Sequence, residues 1–140
     1  TVRGSTVDDL EGIILPAIKA AAQEIAASYG AQVEMHHYEP LFKDMRQDKK
    51  LLDLFKDVMT EFGEAPRILP DDEADGSTDV GNVSYEVPTA QPTLQIGLGL
   101  EAHTPEFTCA AGSDYGLAQA IKGTKIMAVV ALRYALLRDA

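Results

Sequence analysis

"AQVEMHHYE", residues 31–39, is the stretch on which the fold class turns. Val33, Met35 and His37 fall on one face of an extended segment, and Glu34, His36 and Tyr38 on the other, the period-two pattern of a strand. Ahead of it, "STVDDL" reads as a helix start. Thr6 is placed to cap, and Asp8 and Asp9 complement the positive end of the helix dipole. Val7, Leu10, Ile14, Ile18, Ala21 and Ile25 recur at helical spacing, and Gly30 is a natural stop. Pro16 predicts a kink or the start of a second helical segment. "TVRG", residues 1–4, is β-like, so the first forty residues predict β-α-β, ended by Pro40.

Beyond Pro40 the pattern restarts. Asp48 caps a helix whose stripe is Leu51, Leu52, Phe55, Val58, Met59 and Phe62, with Gly63 as its end. Two prolines and the acidic run "DDEAD", residues 71–75, predict a loop, and a helical turn follows through Val80 and Val83. "TLQIGLGL", residues 93–100, alternates Leu94, Ile96 and Leu98 and predicts a second strand region. Thr104-Pro105-Glu106 is a cap, proline and acid at a helix start. Ser113 and Asp114 open a last helix running to about Leu137. Helices alternating with strands predict an α/β or α+β fold.

A chain of 140 residues with 46% hydrophobic and 24% charged residues suits one globular domain or parts of two. A net charge of −10 argues against nucleic acid and anionic membranes as partners. Residues 116–137 are the most apolar stretch, but Lys122, Lys125 and Arg133 make it a buried helix and not a membrane span. Cys109 is the single cysteine, so no internal disulfide forms. That suits a reducing, cytoplasmic setting, and equally a disulfide-free exported protein. The opening "TVRG" lacks a Met and reads like the interior of a strand, so a piece of a longer protein is expected.

Few residues stand out chemically. His36 and His37 are neighbours on an extended segment and cannot chelate one ion together. His103 falls between a strand end and a helix start, where α/β proteins place functional groups, though a loop histidine is the plainer reading. Asp79 follows Ser77 and Thr78 in what is also an ordinary capping string. Arg3 is either a surface arginine or an anion clamp, and Cys109 is expected to be a buried, inert thiol. No phosphate loop, paired-cysteine zinc motif or serine elbow is present.

"GSTDVGNVSYEVPT", residues 76–89, followed by "HTPEF" and "AAGS" and an Ala-rich final helix, resembles a known family. It is the metal-dependent amidohydrolase and peptidase family (peptidase family M-twenty) of aminoacylase and carboxypeptidase G. The similarity is greatest to the branch of p-aminobenzoyl-glutamate hydrolase and the M-twenty domain-containing protein 2 dipeptidases. "TVRGSTVDDLEGIILPAIKAAAQEIAASYGAQVEM" is similar to the later half of that family's inserted lid.

The resemblance implies a C-terminal fragment. Residues 1–45 would end a β-α-β-β-α-β lid, through which the protein forms a homodimer. Residues 46–140 would be the C-terminal part of a zinc-peptidase-like α/β catalytic domain. His103 matches a metal ligand, in a site for one or two Zn²⁺ or Mn²⁺ ions. Arg3 matches a residue that binds the substrate carboxylate, and Asp79 and Asn82 would line or brace the cleft. The other ligands and the glutamate base match no residue here, so no catalytic group is assigned and the isolated chain is expected to be inactive. The implied reaction is metal-assisted hydrolysis of an amide in a dipeptide, an N-acyl amino acid or an aminobenzoyl-glutamate-like molecule. The alternative is a non-enzymatic α/β module that dimerises by pairing edge strands.

Overall fold

The computed structural model describes residues 1–70 and 76–138, so the "DDEAD" run of the expected loop lies outside the described residues. Two compact units emerge among them: residues 1–46 with 76–87, and residues 47–70 with 88–138.

In the first unit, Thr6 caps helix α1 (Val7–Asp9), its Oγ1 accepting a hydrogen bond from the Asp9 N–H at 3.1 Å. The chain then widens into a π-helical turn, Leu10–Ile14, before helix α2 (Leu15–Ser28). Pro16 stands in the first turn of α2. Proline has no N–H to give to the preceding turn, and a register shift just before it accommodates the loss. Gly30 closes α2 in the left-handed region, at φ 66°. Val7 and Leu10 are this unit's buried hydrophobic residues. Helix α4 (Val80–Ser84) is a short turn whose contacts within the unit are described below.

The second unit is built on helix α3 (Lys49–Glu61) packed against helix α6 (Asp114–Arg138), with helix α5 (Pro105–Ala111) preceding α6. Asp48 caps α3 through its Oδ1, 2.9 Å from the Leu51 N–H. Val58, Met59, Ile126 and Val130 form the core, flanked by Leu51, Leu54, Phe55, Phe62, Leu94 and Val129. Polar groups frame it. Glu61 takes a bidentate pair from Arg133 at 2.7 and 2.8 Å. Lys122 Nζ reaches Glu64 at 2.6 Å, and the buried Gln119 donates to the Gln95 carbonyl at 2.9 Å. The Lys122 hydrogen bond holds the Glu64 carboxyl below its usual range against partial desolvation. Gly116 is required by space: a Cβ there would collide with the Ala110 carbonyl oxygen at the α5–α6 turn.

The expected α/β fold, with its β-containing lid and α/β catalytic part, is corrected by this architecture. No strand occurs among the described residues. Residues 31–39 alternate in sequence, but every one of them is exposed and no backbone ladder joins them to another segment. Residues 1–4 are equally exposed. In 93–100, Leu94 packs on the core, but the chain bends through 97–99 and leaves Leu98 86% exposed. Alternation says that a segment would suit a pleated, half-buried surface. A strand exists only where a neighbour supplies its hydrogen bonds, and none of these segments has one among the described residues.

Candidate functional site

The four residues singled out by resemblance separate between the units. Arg3, Asp79 and Asn82 belong to the first and His103 to the second. Arg3 is exposed and makes no hydrogen bond or ion pair among the described residues. Asp79 stands at the N-cap of α4 but makes no side-chain capping bond. Thr78 takes that role weakly, its Oγ1 3.3 Å from the Val80 N–H.

Asn82 is fully occupied in a different sense. Its Oδ1 accepts from the Lys43 N–H at 2.9 Å, and its Nδ2 donates to the Leu41 carbonyl at 2.9 Å. One side-chain amide thus fixes the backbone of residues 41–43, completing the pairing that a neighbouring peptide would offer.

The rest of "GNVSY", residues 81–85, works on the same segment. A Cβ on Gly81 would collide with the Lys43 carbonyl oxygen and lie 3.0 Å from its carbon, so only glycine lets the two backbones meet. Ser84 Oγ accepts from the Arg46 N–H at 2.9 Å and donates to the Gly81 carbonyl at 2.6 Å. The Tyr85 hydroxyl donates to Asp44 Oδ1 at 2.7 Å, and that oxygen also accepts from the Val7 N–H at 2.8 Å. Asp44 therefore satisfies an otherwise unpaired donor in the first turn of α1 while being held by α4's C-terminal tyrosine. The polar run 78–85 is a clamp on residues 41–46.

Charge at this clamp is unevenly spread. Burial acts to raise the Asp44 pKa. The hydrogen bonds from Val7, Tyr85 and its own backbone, with the Arg46 charge, outweigh it and hold the carboxyl below its ordinary range. Tyr85 moves the other way, pushed up by desolvation and then by the Asp44 carboxylate. The Arg46 guanidinium carbon lies 3.6 Å from the centre of the Tyr85 ring, and Lys43 Nζ lies 4.5 Å from it.

A depressed carboxyl makes stability depend on acid with a definite sign. The contribution of Asp44 is present above the unfolded value of about 3.9 and is lost as pH falls through the lower folded value. Asp44→Asn keeps an acceptor for the Val7 N–H but removes the charge. The variant should be less stable than wild type by a constant margin from pH 5 to 7, and the margin should shrink below about pH 4. Urea midpoints of both proteins across that range check it, and a margin that grows toward acid would contradict it.

His103 lies in the turn before α5. Its backbone is in the left-handed region, φ 65°, the single non-glycine residue of positive φ among those described. Thr104 caps α5 from the next position, its Oγ1 accepting from the Phe107 N–H at 3.2 Å and donating to the Glu101 carbonyl at 2.7 Å. Left-handed backbone is uncommon for a residue with a Cβ, and such outliers gather at functional sites. The side chain is exposed.

No group of three or more His, Cys, Asp or Glu residues placed to hold a metal ion occurs among the described residues. His36 and His37 are both exposed, His36 lying 3.4 Å from Glu34. Cys109, expected to be buried, is exposed, as α5 has no buried residue. No helix among the described residues is long and apolar enough to cross a membrane.

Sequence reasoning missed Asp44, Ser84, Tyr85 and the use of Gly81. The contacts that define them span about forty positions in the chain, and no local pattern announces them.

Comparison with known proteins finds similarity to two dipeptidases. It is 30% identical over 114 residues to the Xaa-Arg dipeptidase of Mus musculus, covering 81% of this chain and 26% of that protein. It is 42% identical over 57 residues to the Xaa-Arg dipeptidase of Homo sapiens, covering 41% of this chain and 13% of that one. The chain thus spans about a quarter or less of the length of these relatives. No protein-family model matches it, and no solved structure does.

Proposed function

We propose that this chain is a portion of a metal-dependent amidohydrolase of the M-twenty peptidase family that hydrolyses dipeptides ending in arginine. The observation that carries the reading is the 30% identity to the mouse Xaa-Arg dipeptidase across 81% of the chain. In this reading residues 46–140 belong to the catalytic portion of the longer protein, and residues 1–45 to the part through which two copies associate, in the cytoplasm. Arg3 would meet the substrate carboxylate, and Asp79 would face the cleft. Asn82 would act from beneath it, because its amide already holds residues 41–43.

The metal belongs to the longer protein. The described residues contain no cluster able to hold Zn²⁺ or Mn²⁺, and a lone imidazole does not retain either ion. His103 would be one ligand of a site completed by other residues, so no catalytic step is assigned to this chain by itself. The edge-strand dimer alternative loses its basis, since no strand edge exists among the described residues.

The test is a substrate panel on the longer protein that contains this chain. Dipeptides with C-terminal arginine should be cleaved at least about tenfold faster than N-acyl amino acids and aminobenzoyl-glutamate, one extra charge-assisted contact supplying that ratio. Cleavage of the N-acyl compounds alone would keep the hydrolase and overturn the arginine preference. No cleavage of any member would overturn the reading.

A further inference from the structure

We propose that the outward face of α6 is an interior surface of the longer protein, covered by apolar segments of the polypeptide outside these 140 residues. The choice of occupant rests on the reading of the chain as a portion of a longer protein. A surface helix ordinarily turns apolar residues to the core and charges to water. Helix α6 departs from this. Its face toward α3 carries Ile126 and Val130, 2% and 3% exposed. Between Tyr115 and Leu137 its charged residues are Lys122, Lys125 and Arg133. Two of the three turn toward α3, where Lys122 meets Glu64 and Arg133 meets Glu61. At 3.6 residues per turn, the opposite face holds Leu117, Ile121, Thr124, Ala128, Leu132 and Ala135, and no charged residue. Lys125 stands at its edge. All six are exposed, Leu117 at 54%, Ile121 at 59% and Leu132 at 69%.

A helix that is apolar on both faces belongs to an interior, and a contiguous apolar strip left in water marks a contact surface. The strip runs about 27 Å along α6, from Leu117 to Ala135 at 1.5 Å per residue. Ala128 and Ala135 leave room between the larger side chains for a neighbouring element to come close. What covers it follows from length and charge. The match to the mouse dipeptidase takes in 26% of that protein, so about three quarters of a chain of that length lies outside the matched region. A cover on the same polypeptide docks without the loss of translational freedom that a second copy has to meet. A net charge of −10 also sets two copies of this chain against each other.

The experiment uses the longer protein that contains this chain and does not read hydrolysis. In a Cys109→Ser background, Ile121→Cys and Leu132→Cys are each reacted with a maleimide, natively and in urea. Both thiols should react at least about 100-fold slower in the native protein, because a covered thiol reacts only when the structure opens. A diazirine amino acid installed at position 121 should, on irradiation, link to peptides outside residues 1–140, as read by mass spectrometry. Native thiol rates within about threefold of those in urea would overturn the proposal. Links to a second copy, seen as a band of twice the mass, or to residues 1–46 of the same chain would overturn it by naming a different cover. Protection, with links outside the chain, in a protein that cleaves no member of the substrate panel would keep this inference and overturn the hydrolase reading alone.

Discussion

Gly81→Ala should lower the stability of the first unit by about 3 kcal/mol, the upper end of what overpacking costs. That corresponds to a fall of roughly 12 to 24 °C in melting temperature for a unit this small. The added methyl would collide with the Lys43 carbonyl oxygen and lie 3.0 Å from its carbon. Both are backbone atoms, so no side-chain rotation relieves the clash. Residues 41–46 must move away, and the Asn82, Ser84 and Tyr85 hydrogen bonds to that segment go with them. Gly12→Ala is the control. A Cβ there meets nothing within 4 Å, and alanine in a helical position should stabilise by up to ~1 kcal/mol. Thermal melts of the two variants should therefore move in opposite directions. Equal small shifts in both would mean that the backbones of Gly81 and Lys43 are not in contact.

The second large effect concerns His103, and it separates function from strain. If His103 is a metal ligand of the longer protein proposed above, His103→Ala should reduce its hydrolysis by more than about 100-fold, since losing even an outer partner of a metal ligand costs 10–100-fold. Stability should barely change, because the side chain is exposed and no core residue packs on it. His103→Gly should lose activity equally yet match or exceed wild-type stability, because glycine accepts φ 65° without the Cβ penalty. Kinetics and melts of the two variants side by side check both halves. Wild-type rates in either variant would exclude His103 from the proposed active site. A glycine variant markedly less stable than wild type would assign the histidine a packing role.

The helices were legible because their signals are local. Asp48 and Thr104 cap where the sequence predicts, and Pro16 begins a second helical segment at the position where it must. Gly30 and Gly63 end α2 and α3 in the left-handed region. The stripe of α3 reads correctly with one exchange, Leu54 and not Leu52 packing on the core. The strands were not legible, since strand formation depends on a partner at a distance. Residues 31–39 carry the alternation of a strand and remain exposed throughout. The clamp failed to show for the same reason. "STDVGNVSY" could be read as a capped turn, but its purpose lies in residues 41–46, which sequence spacing does not connect to it. Resemblance to a peptidase family drew attention to Asp79 and Asn82 as residues that line or brace a cleft, and Asn82 holds the backbone of residues 41–43.

The central claim, that this chain is part of a metal-dependent dipeptidase, is tested most directly by one rate. Arginine release from an Xaa-Arg dipeptide should be measured on the longer protein before chelation, after removal of divalent metal, and after Zn²⁺ or Mn²⁺ is restored. The account predicts release that is lost on chelation and recovered on adding back either ion. Release unchanged by chelation, or no release in any of the three states, would contradict it.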